Sequence, residues 1–444
     1  MIRKILGKFA SVKIYLLNTL WILGEKVVHL GVTFIATIVV ARYLGPNEFG
    51  VLAYATSFAA IFAVIGHAGL SGLVVQELVS GEESEEVVLG TTAFLKFLSV
   101  LFAYLIILVV GTVTETNPEE FWVLAIVSLA ILFKPSEVIS FWFDSRVLSK
   151  YVSISNSLGL LSAASFKFVL VITNAQLILF AISNVIQALV TTAHLVLSFS
   201  RRSGISIWSW KISLPYAKSL LGRGSLVFLG AIFSVVYLKV DQVMLRWMGS
   251  VEDVGIYAVA ATLSELWYFI PTAIVTSVFP RLIVLRSECS LQYKQRYQQI
   301  FDLLFLIALV VAILVGVFAV EIIAIAFGDQ YLEAGPILAI HVWSAVFIFM
   351  RAAFSKWIIT ERVLIFSLVT QASGAVVNVV LNLYLIPAYG GVGAAYATLV
   401  SYAIASYFSL AIYAKTRPIF FMMTYAMISP VRYSLALLKE RFRL

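Results

Sequence analysis

The chain has 444 residues, 61% of them hydrophobic and 12% charged, with a formal net charge of +8. A soluble domain carries about 25% charged residues, so a water-soluble fold is excluded. The positive balance does not point to nucleic acid, because Lys and Arg fall between apolar runs in the pattern that membrane insertion requires.

A helix that crosses a bilayer needs about 20 mostly apolar residues, and twelve such runs follow one another along the chain. In the first half they cover 18–41, 49–72, 87–111, 121–142, 152–172 and 177–199. In the second half they cover 224–246, 254–279, 300–327, 335–358, 363–386 and 392–414. The first run follows Arg3, Lys4, Lys8 and Lys13, is longer than a signal-peptide core and has no small-residue cleavage site, so it reads as a retained helix. Loop charge tests the count independently. With the N-terminus inside, later inner segments hold Arg146 and Lys150; Arg201, Arg202, Lys211, Lys218 and Arg223; Arg281, Arg286, Lys294 and Arg296; Lys356 and Arg362; and Lys415, Arg417, Arg432, Lys439, Arg441 and Arg443. Of the 31 basic residues, 23 lie on that side, two (Arg42 and Arg246) lie at outer loops, and six lie within spans. Cytoplasmic loops concentrate Lys and Arg, so the alternation supports twelve spans with both termini in the cytoplasm. One inner loop departs from it, the acidic GEESEE from Gly81 to Glu86.

The expected fold is therefore an all-α membrane protein. Its longest inner segment, 201–223, places Ile205, Ile207, Trp208, Trp210, Ile212 and Leu214 among basic residues, which suits a linker lying on the membrane surface. It separates an N-terminal six-helix bundle (1–200) from a C-terminal one (224–414), and a basic cytoplasmic tail (415–444) follows. The halves also share a motif. Arg42-Tyr43-Leu44-Gly45, followed by Gly50, corresponds to Arg246-Trp247-Met248-Gly249, followed by Gly255, at an offset of 204 residues and six spans. The motif alone also reads as a helix stop with an aromatic interface anchor. An even number of intervening spans makes the repeat parallel, with a pseudo-two-fold axis along the membrane normal, the architecture of carriers that rock one bundle against the other. Outer loops are too short for a catalytic domain, so a transporter is expected and not an enzyme.

Charges inside the bilayer cost about 2.5–3.5 kcal/mol on insertion scales and usually face the bundle interior. Here they are Glu25 and Lys26 with His29, Lys96, Lys134 with Glu137, Lys167, Lys239 and Asp241, Glu265, Glu321 and Arg351. Lys167, Lys239 and Glu321 lie near the outer surface, where the lysines can snorkel. Lys134 and Glu137 share a helix face beside Pro135, and read equally as an internal ion pair or as part of a substrate site. Lys26, Lys96, Lys134 and Arg351 are the substrate-binding candidates, because a cationic interior attracts an anion such as a diphosphate and Arg suits bidentate phosphate contact. Glu25, Asp241 and Glu265 are candidates for coupling to H+ or Na+; the alternative is that they neutralise neighbouring lysines. The chain contains no GxxxxGK[ST], HExxH or GxSxG. Its single cysteine, Cys289, excludes an internal disulfide framework and a cysteine-based zinc cluster. Pro135, Pro271 and Pro387 mark candidate bends.

Several segments carry a family resemblance. WILGEKVVHLGVTFIATIVVARYLGPNEFGVLAYATSF (Trp21 to Phe58), VDQVMLRWMGSVEDVGIYAVAATLSE (Val240 to Glu265), NLYLIPAYGGVGAAYATLVSY (Asn382 to Tyr402), the DSRVLSKY loop and the segment from Glu77 to Gly90 together resemble Wzx-type flippases. These form the polysaccharide branch of the multidrug/oligosaccharidyl-lipid/polysaccharide exporter superfamily. The resemblance implies a bacterial inner-membrane protein of two six-helix bundles. It would flip undecaprenyl-diphosphate-linked O-antigen or capsule units by alternating access, driven by an ion gradient. It implies no cofactor beyond a coupling H+ or Na+; the partners are membrane lipids, the lipid-linked oligosaccharide, a polysaccharide polymerase and glycosyltransferases. Asp241 and Arg42 match the family pattern best, while no motif for individual substrate ligands is visible. A drug or metabolite exporter of the same superfamily is the main alternative, and a polymerase-type membrane enzyme a more distant one.

Overall fold

The computed structural model describes residues 2–67, 70–115, 117–361 and 363–434. Arg362, Lys439, Arg441 and Arg443 of the expected cytoplasmic set lie outside the described residues. Every regular element among the described residues is helical: α1 Ile2–His67, α2 Ser71–Ser80, α3 Glu85–Thr114, α4 Pro118–Leu129, α5 Glu137–Ser145, α6 Ser149–Ile172, α7 Leu177–Arg202, α8 Leu214–Met248, α9 Val251–Glu265, α10 Phe269–Glu288, α11 Ser290–Val317, α12 Ala319–Phe327, α13 Ala334–His341, α14 Ser344–Thr360, α15 Leu364–Ala403, α16 Ser409–Ile412 and α17 Arg417–Met427. Ten stretches among them are long and apolar enough to cross a membrane, and the protein is a multi-pass membrane protein.

Two of these stretches are interrupted. α1 breaks at Gly45 (φ 72°, ψ 173°), just before Pro46, and α15 breaks at Gly390 (φ 53°, ψ −133°), three residues after Pro387. Only glycine adopts such positive-φ conformations readily, and proline removes a helical donor. The interrupted stretches, 64 and 48 residues long, each exceed twice the roughly 20 residues one crossing needs. The expected twelve spans correspond to reading each as two crossings. Pro135 and Pro271 also mark departures from α geometry: Pro135 sits in a 3₁₀ segment, Ala130–Ser136, that separates α4 from α5, and Pro271 follows the 3₁₀ turn Leu266–Tyr268.

The chain forms two compact units, 1–235 and 236–444. In the first, α6 packs along α7 and α1, and Leu70, Val74, Leu89, Val138, Phe143, Phe199 and Leu220 form a core at one end. The loops there converge. Glu85 accepts from Trp142 Nε1 (2.7 Å) and pairs with Arg146, Glu77 pairs with Arg223, and the Lys211 amide donates to the Glu86 carbonyl (3.1 Å). The acidic loop is thus tied to basic segments of the same end, which accounts for acid where positive charge was expected. At the opposite end the Tyr43 hydroxyl donates to the Ala175 carbonyl (3.0 Å), linking the Arg42–Gly45 motif to the turn between α6 and α7.

The expected surface linker differs from its sequence reading. Only 203–213 is non-α; from Leu214 the chain is already α8, with Tyr216 and Leu220 buried. Trp208 is 91% exposed, whereas Trp210 packs edge-on against Phe199.

In the second unit α11 packs against α14 and α17 around Phe301, Leu304, Phe349, Phe354 and Met423. The motif Arg246–Gly249 ends α8, where Gly249 N–H bonds the Leu245 carbonyl, and a Ser250–Asp253 capping box starts α9. The first part of the expected tail is docked. Ile419, Met423 and Ala426 form a buried face of α17, and Arg432 pairs with buried Asp302 at 2.6 Å.

Candidate functional site

The 3₁₀ segment around Pro135 and the start of α5 deliver two charged side chains, Lys134 and Glu137, to a cavity of about 440 Å³ in the first unit. Non-helical backbone at membrane depth is tolerated where it lines such a cavity. Glu137 is the hub: one carboxylate oxygen accepts from Lys134 Nζ (2.7 Å), the other from Lys96 Nζ (2.8 Å). Lys96 is fully buried and also lies 5.0 Å from the Phe141 ring centroid, so it supports the cavity wall and does not line it. Lys134 and Glu137 do line it, with Asn156 of α6 and with Asn184, Gln187, Thr191 and Thr192 along one face of α7. The sequence left ion pair and substrate site as alternatives for Lys134 and Glu137; the ion pair forms, and it forms at a cavity.

In the second unit the buried carboxylate of Asp241, on α8, collects three donors from two other helices, α9 and α15. Asn382 Nδ2 donates to Oδ1 (2.6 Å), and the Tyr257 hydroxyl (2.8 Å) and Thr398 hydroxyl (2.5 Å) donate to Oδ2. Asn382 also donates to Asn378 Oδ1 at 3.2 Å. Asn378 Nδ2 and Asn382 Oδ1 are buried without a partner, although a buried polar atom left unpaired costs about 1–3 kcal/mol. The break at Gly390 lets α15 contribute twice, through Asn378 and Asn382 before it and Thr398 after it. His341, buried, stacks edge-on against Tyr257 and bonds Ser264 at 2.9 Å. No three His, Cys, Asp or Glu side chains among the described residues form a metal-type cluster. One carboxylate among neutral hydroxyl and amide groups has the charge to balance a single positive charge, such as a proton on the carboxyl.

Arg351 of α14 lies half-buried and donates to the Ala405 carbonyl at 3.0 Å. That carbonyl belongs to a π-helical turn, Ile404–Phe408, between α15 and α16, and such turns free backbone acceptors and often occur at functional sites. Tyr237 and Tyr402, ring centroids 4.4 Å apart, are within electrostatic reach of the guanidinium. No described carboxylate forms an ion pair with it. Glu265 instead faces Lys239 at 3.8 Å, the neutralising alternative. Glu25 is half-buried beside a groove between α1 and α6 with Trp21, Ser153 and Ser157. Lys26 is exposed on α1 and lines neither cavity.

A family model described as polysaccharide biosynthesis protein matches residues 39–336. The chain belongs to that family. The matched span contains the first-unit cavity and Asp241, and ends before Arg351, Asn382 and Thr398. Among characterised relatives, a probable flippase, AglR, of Haloferax volcanii is 25% identical over 420 residues, covering 86% of this chain and 80% of the relative. The fold is that of solved carriers. The lipid II flippase MurJ in an inward closed conformation matches with a TM-score of 0.70 and 15% identity over 95% of this chain and 93% of that one. An inward-facing multidrug resistance transporter of the MATE family matches with a TM-score of 0.63 and 12% identity over 93% and 96%.

For this polysaccharide biosynthesis protein, sequence reasoning singled out Asp241 but missed Tyr257, Asn378, Asn382, Thr398 and His341. A signal was present: the segments Val240 to Glu265 and Asn382 to Tyr402, separately marked by their motifs, hold Asp241 and Tyr257 in one and Asn382 and Thr398 in the other. Their convergence on one carboxylate is what the structure adds.

Proposed function

We propose that this protein is a flippase that carries a polyprenyl-diphosphate-linked oligosaccharide, an O-antigen or capsule repeat unit, from the cytoplasmic to the outer leaflet of a bacterial inner membrane. The observation that carries this reading is the sign of the interior charge. Glu137, the one acid lining the first-unit cavity, is held by two lysines, and Arg351 meets no described carboxylate. Such an interior repels the organic cations a drug exporter would take and attracts a diphosphate. Arg351 is the residue assigned to the diphosphate; Lys26, exposed on α1, is a separate candidate that the test below decides. Lys134 borders the path, and Lys96 positions Glu137. Membership in a polysaccharide biosynthesis family and the likeness to AglR support the same substrate class. That relative is archaeal, so the bacterial assignment rests on the resemblance of the motifs, and the inner-membrane orientation on the loop charges.

The two halves exchange access by rocking, as parallel-repeat carriers do, and the step is driven by a cation, H+ or Na+, bound at Asp241. Glu25 and Glu265 are weaker coupling candidates, Glu265 because Lys239 lies beside it. The glycosyltransferases that build the unit and the polymerase that consumes it are the expected partners. In a flippase-deficient strain whose polysaccharide unit this protein accepts, the wild type should restore surface polysaccharide. Arg351→Ala, Lys26→Ala and the double variant should fail to do so at normal protein levels in the membrane. Normal polysaccharide in all three would overturn the assignment of these cations.

A further inference from the structure

The first-unit cavity has a lining that the charge argument does not use. Asn156, Asn184 and Gln187 border it from α6 and α7. Asn184 reaches only its own helix, at 3.5 Å to the Ala181 carbonyl, and Asn156 and Gln187 bond nothing among the described residues. Two amides at membrane depth without protein partners, and a third with one long bond, are costly to keep unless something else pairs with them. The space before them is held open by small residues, Ala59, Ala60 and Ala63 of α1 and Ala188 of α7, and Phe133 adds a ring to the wall. At about 440 Å³ it falls in the size range of small-molecule sites.

The charges restrict what enters. Lys96, Lys134 and Glu137 together leave one net positive charge, with both oxygens of Glu137 and both ammonium groups engaged with one another. A diphosphate that reached the remaining N–H donors of Lys134 would meet repulsion from the Glu137 carboxylate 2.7 Å from that ammonium. A neutral ligand rich in hydroxyl or acetamido groups would not, and each amide offers it two donors and an acceptor.

We propose, building on the flippase reading, that this cavity binds neutral sugar residues of the lipid-linked substrate, not its diphosphate. Asn156, Asn184 and Gln187 are the sugar-binding residues, and the internally paired Lys96–Glu137–Lys134 triad forms the charged wall of the same cavity.

The test uses the full-length protein in lipid nanodiscs and two kinds of probe. One is sugar-free undecaprenyl diphosphate; the other is the same lipid bearing a disaccharide, drawn from a panel of hexoses and N-acetylhexosamines. The wild type should bind at least one glycosylated lipid more tightly than the bare lipid. Asn184→Leu combined with Gln187→Leu should erase about tenfold of that preference, the worth of one to two lost hydrogen bonds, with unchanged affinity for the bare lipid. If that pair does not fold, Asn156→Leu on the other helix should show the same selective loss. Equal weakening for both lipids, a preference that survives, or a wild type that binds both alike would overturn the proposal and leave the flippase reading standing. A wild type that binds neither lipid would overturn both.

Discussion

At the scale of single residues, the two lysines on Glu137 have different jobs despite sharing a carboxylate. Lys96 is fully buried and Lys134 faces the cavity. Lys96→Met should therefore lower thermal stability in detergent, by about 1.5–3 kcal/mol for a lost charged hydrogen bond in the interior. Lys134→Met should cost distinctly less, because that side chain is about a third exposed and its pair is weaker for it. The reverse order in a melting experiment would contradict the assignment of wall and lining. Asp241→Asn keeps an acceptor for Tyr257 and Thr398 and removes the charge, so the variant should fold but transport without regard to the ion gradient. Unchanged gradient dependence would remove Asp241 from the coupling role. Charged residues were legible in the sequence because each is expensive in a bilayer. The neutral amides and hydroxyls were not. Asn, Gln and Thr are cheap enough to occur anywhere in a membrane helix, and Asn382 and Thr398 stand 141 and 157 positions from the carboxylate they serve.

At the scale of elements, the helix breaks are the features the sequence announced most directly. Gly45 belongs to a motif that reads as a helix stop, and Pro135, Pro271 and Pro387 each accompany a departure from α geometry. The π-turn at Ile404–Phe408 had no such marker, because its residues have no special local preference and the Arg351 contact is tertiary. Gly390→Ala forces a methyl group into a positive-φ conformation and should destabilise by about 1–3 kcal/mol. It should also weaken the Asp241 hub, which draws on α15 on both sides of the break. Equal melting temperatures for wild type and variant would contradict the conformation at Gly390. At Gly90 a Cβ would sit 2.5 Å from the Lys211 carbonyl oxygen and 2.8 Å from its amide. Lys211 has an exposed side chain but a backbone held to Glu86, so Gly90→Leu should release the 203–213 segment and speed tryptic cleavage after Lys211. Protection equal to the wild type would show that the segment does not dock there.

At the scale of the whole molecule, the apolar runs, the helical class and the family were legible from composition, loop charge and motif. The extent of the linker and the docking of α17 were not. Tyr216 and Met423 are buried by partners remote in sequence, while the local pattern shows only basic residues among apolar ones. In unit one the segments 81–86, 146–150 and 203–213 gather at one end, and the Arg42–Gly45 motif lies with Ala175 at the other. With the N-terminus inside, a cysteine at Asn174 in a Cys289→Ser background should react with an impermeant thiol reagent in intact cells. One at Ser203 should react only after permeabilisation, and the opposite pattern would invert the topology.

The proposed activity is directional transport of a lipid-linked sugar by an interior that pairs cations with a phosphate and one acid with a coupling ion. It is tested most directly in proteoliposomes holding the full-length protein and an undecaprenyl-diphosphate-linked oligosaccharide, by following accessibility of the glycan to an external glycosidase. With an imposed H+ or Na+ gradient the accessible fraction should change faster than in protein-free vesicles, and Asp241→Asn should abolish the effect of the gradient. A rate equal to that of protein-free vesicles for every oligosaccharide and both gradients would contradict the account.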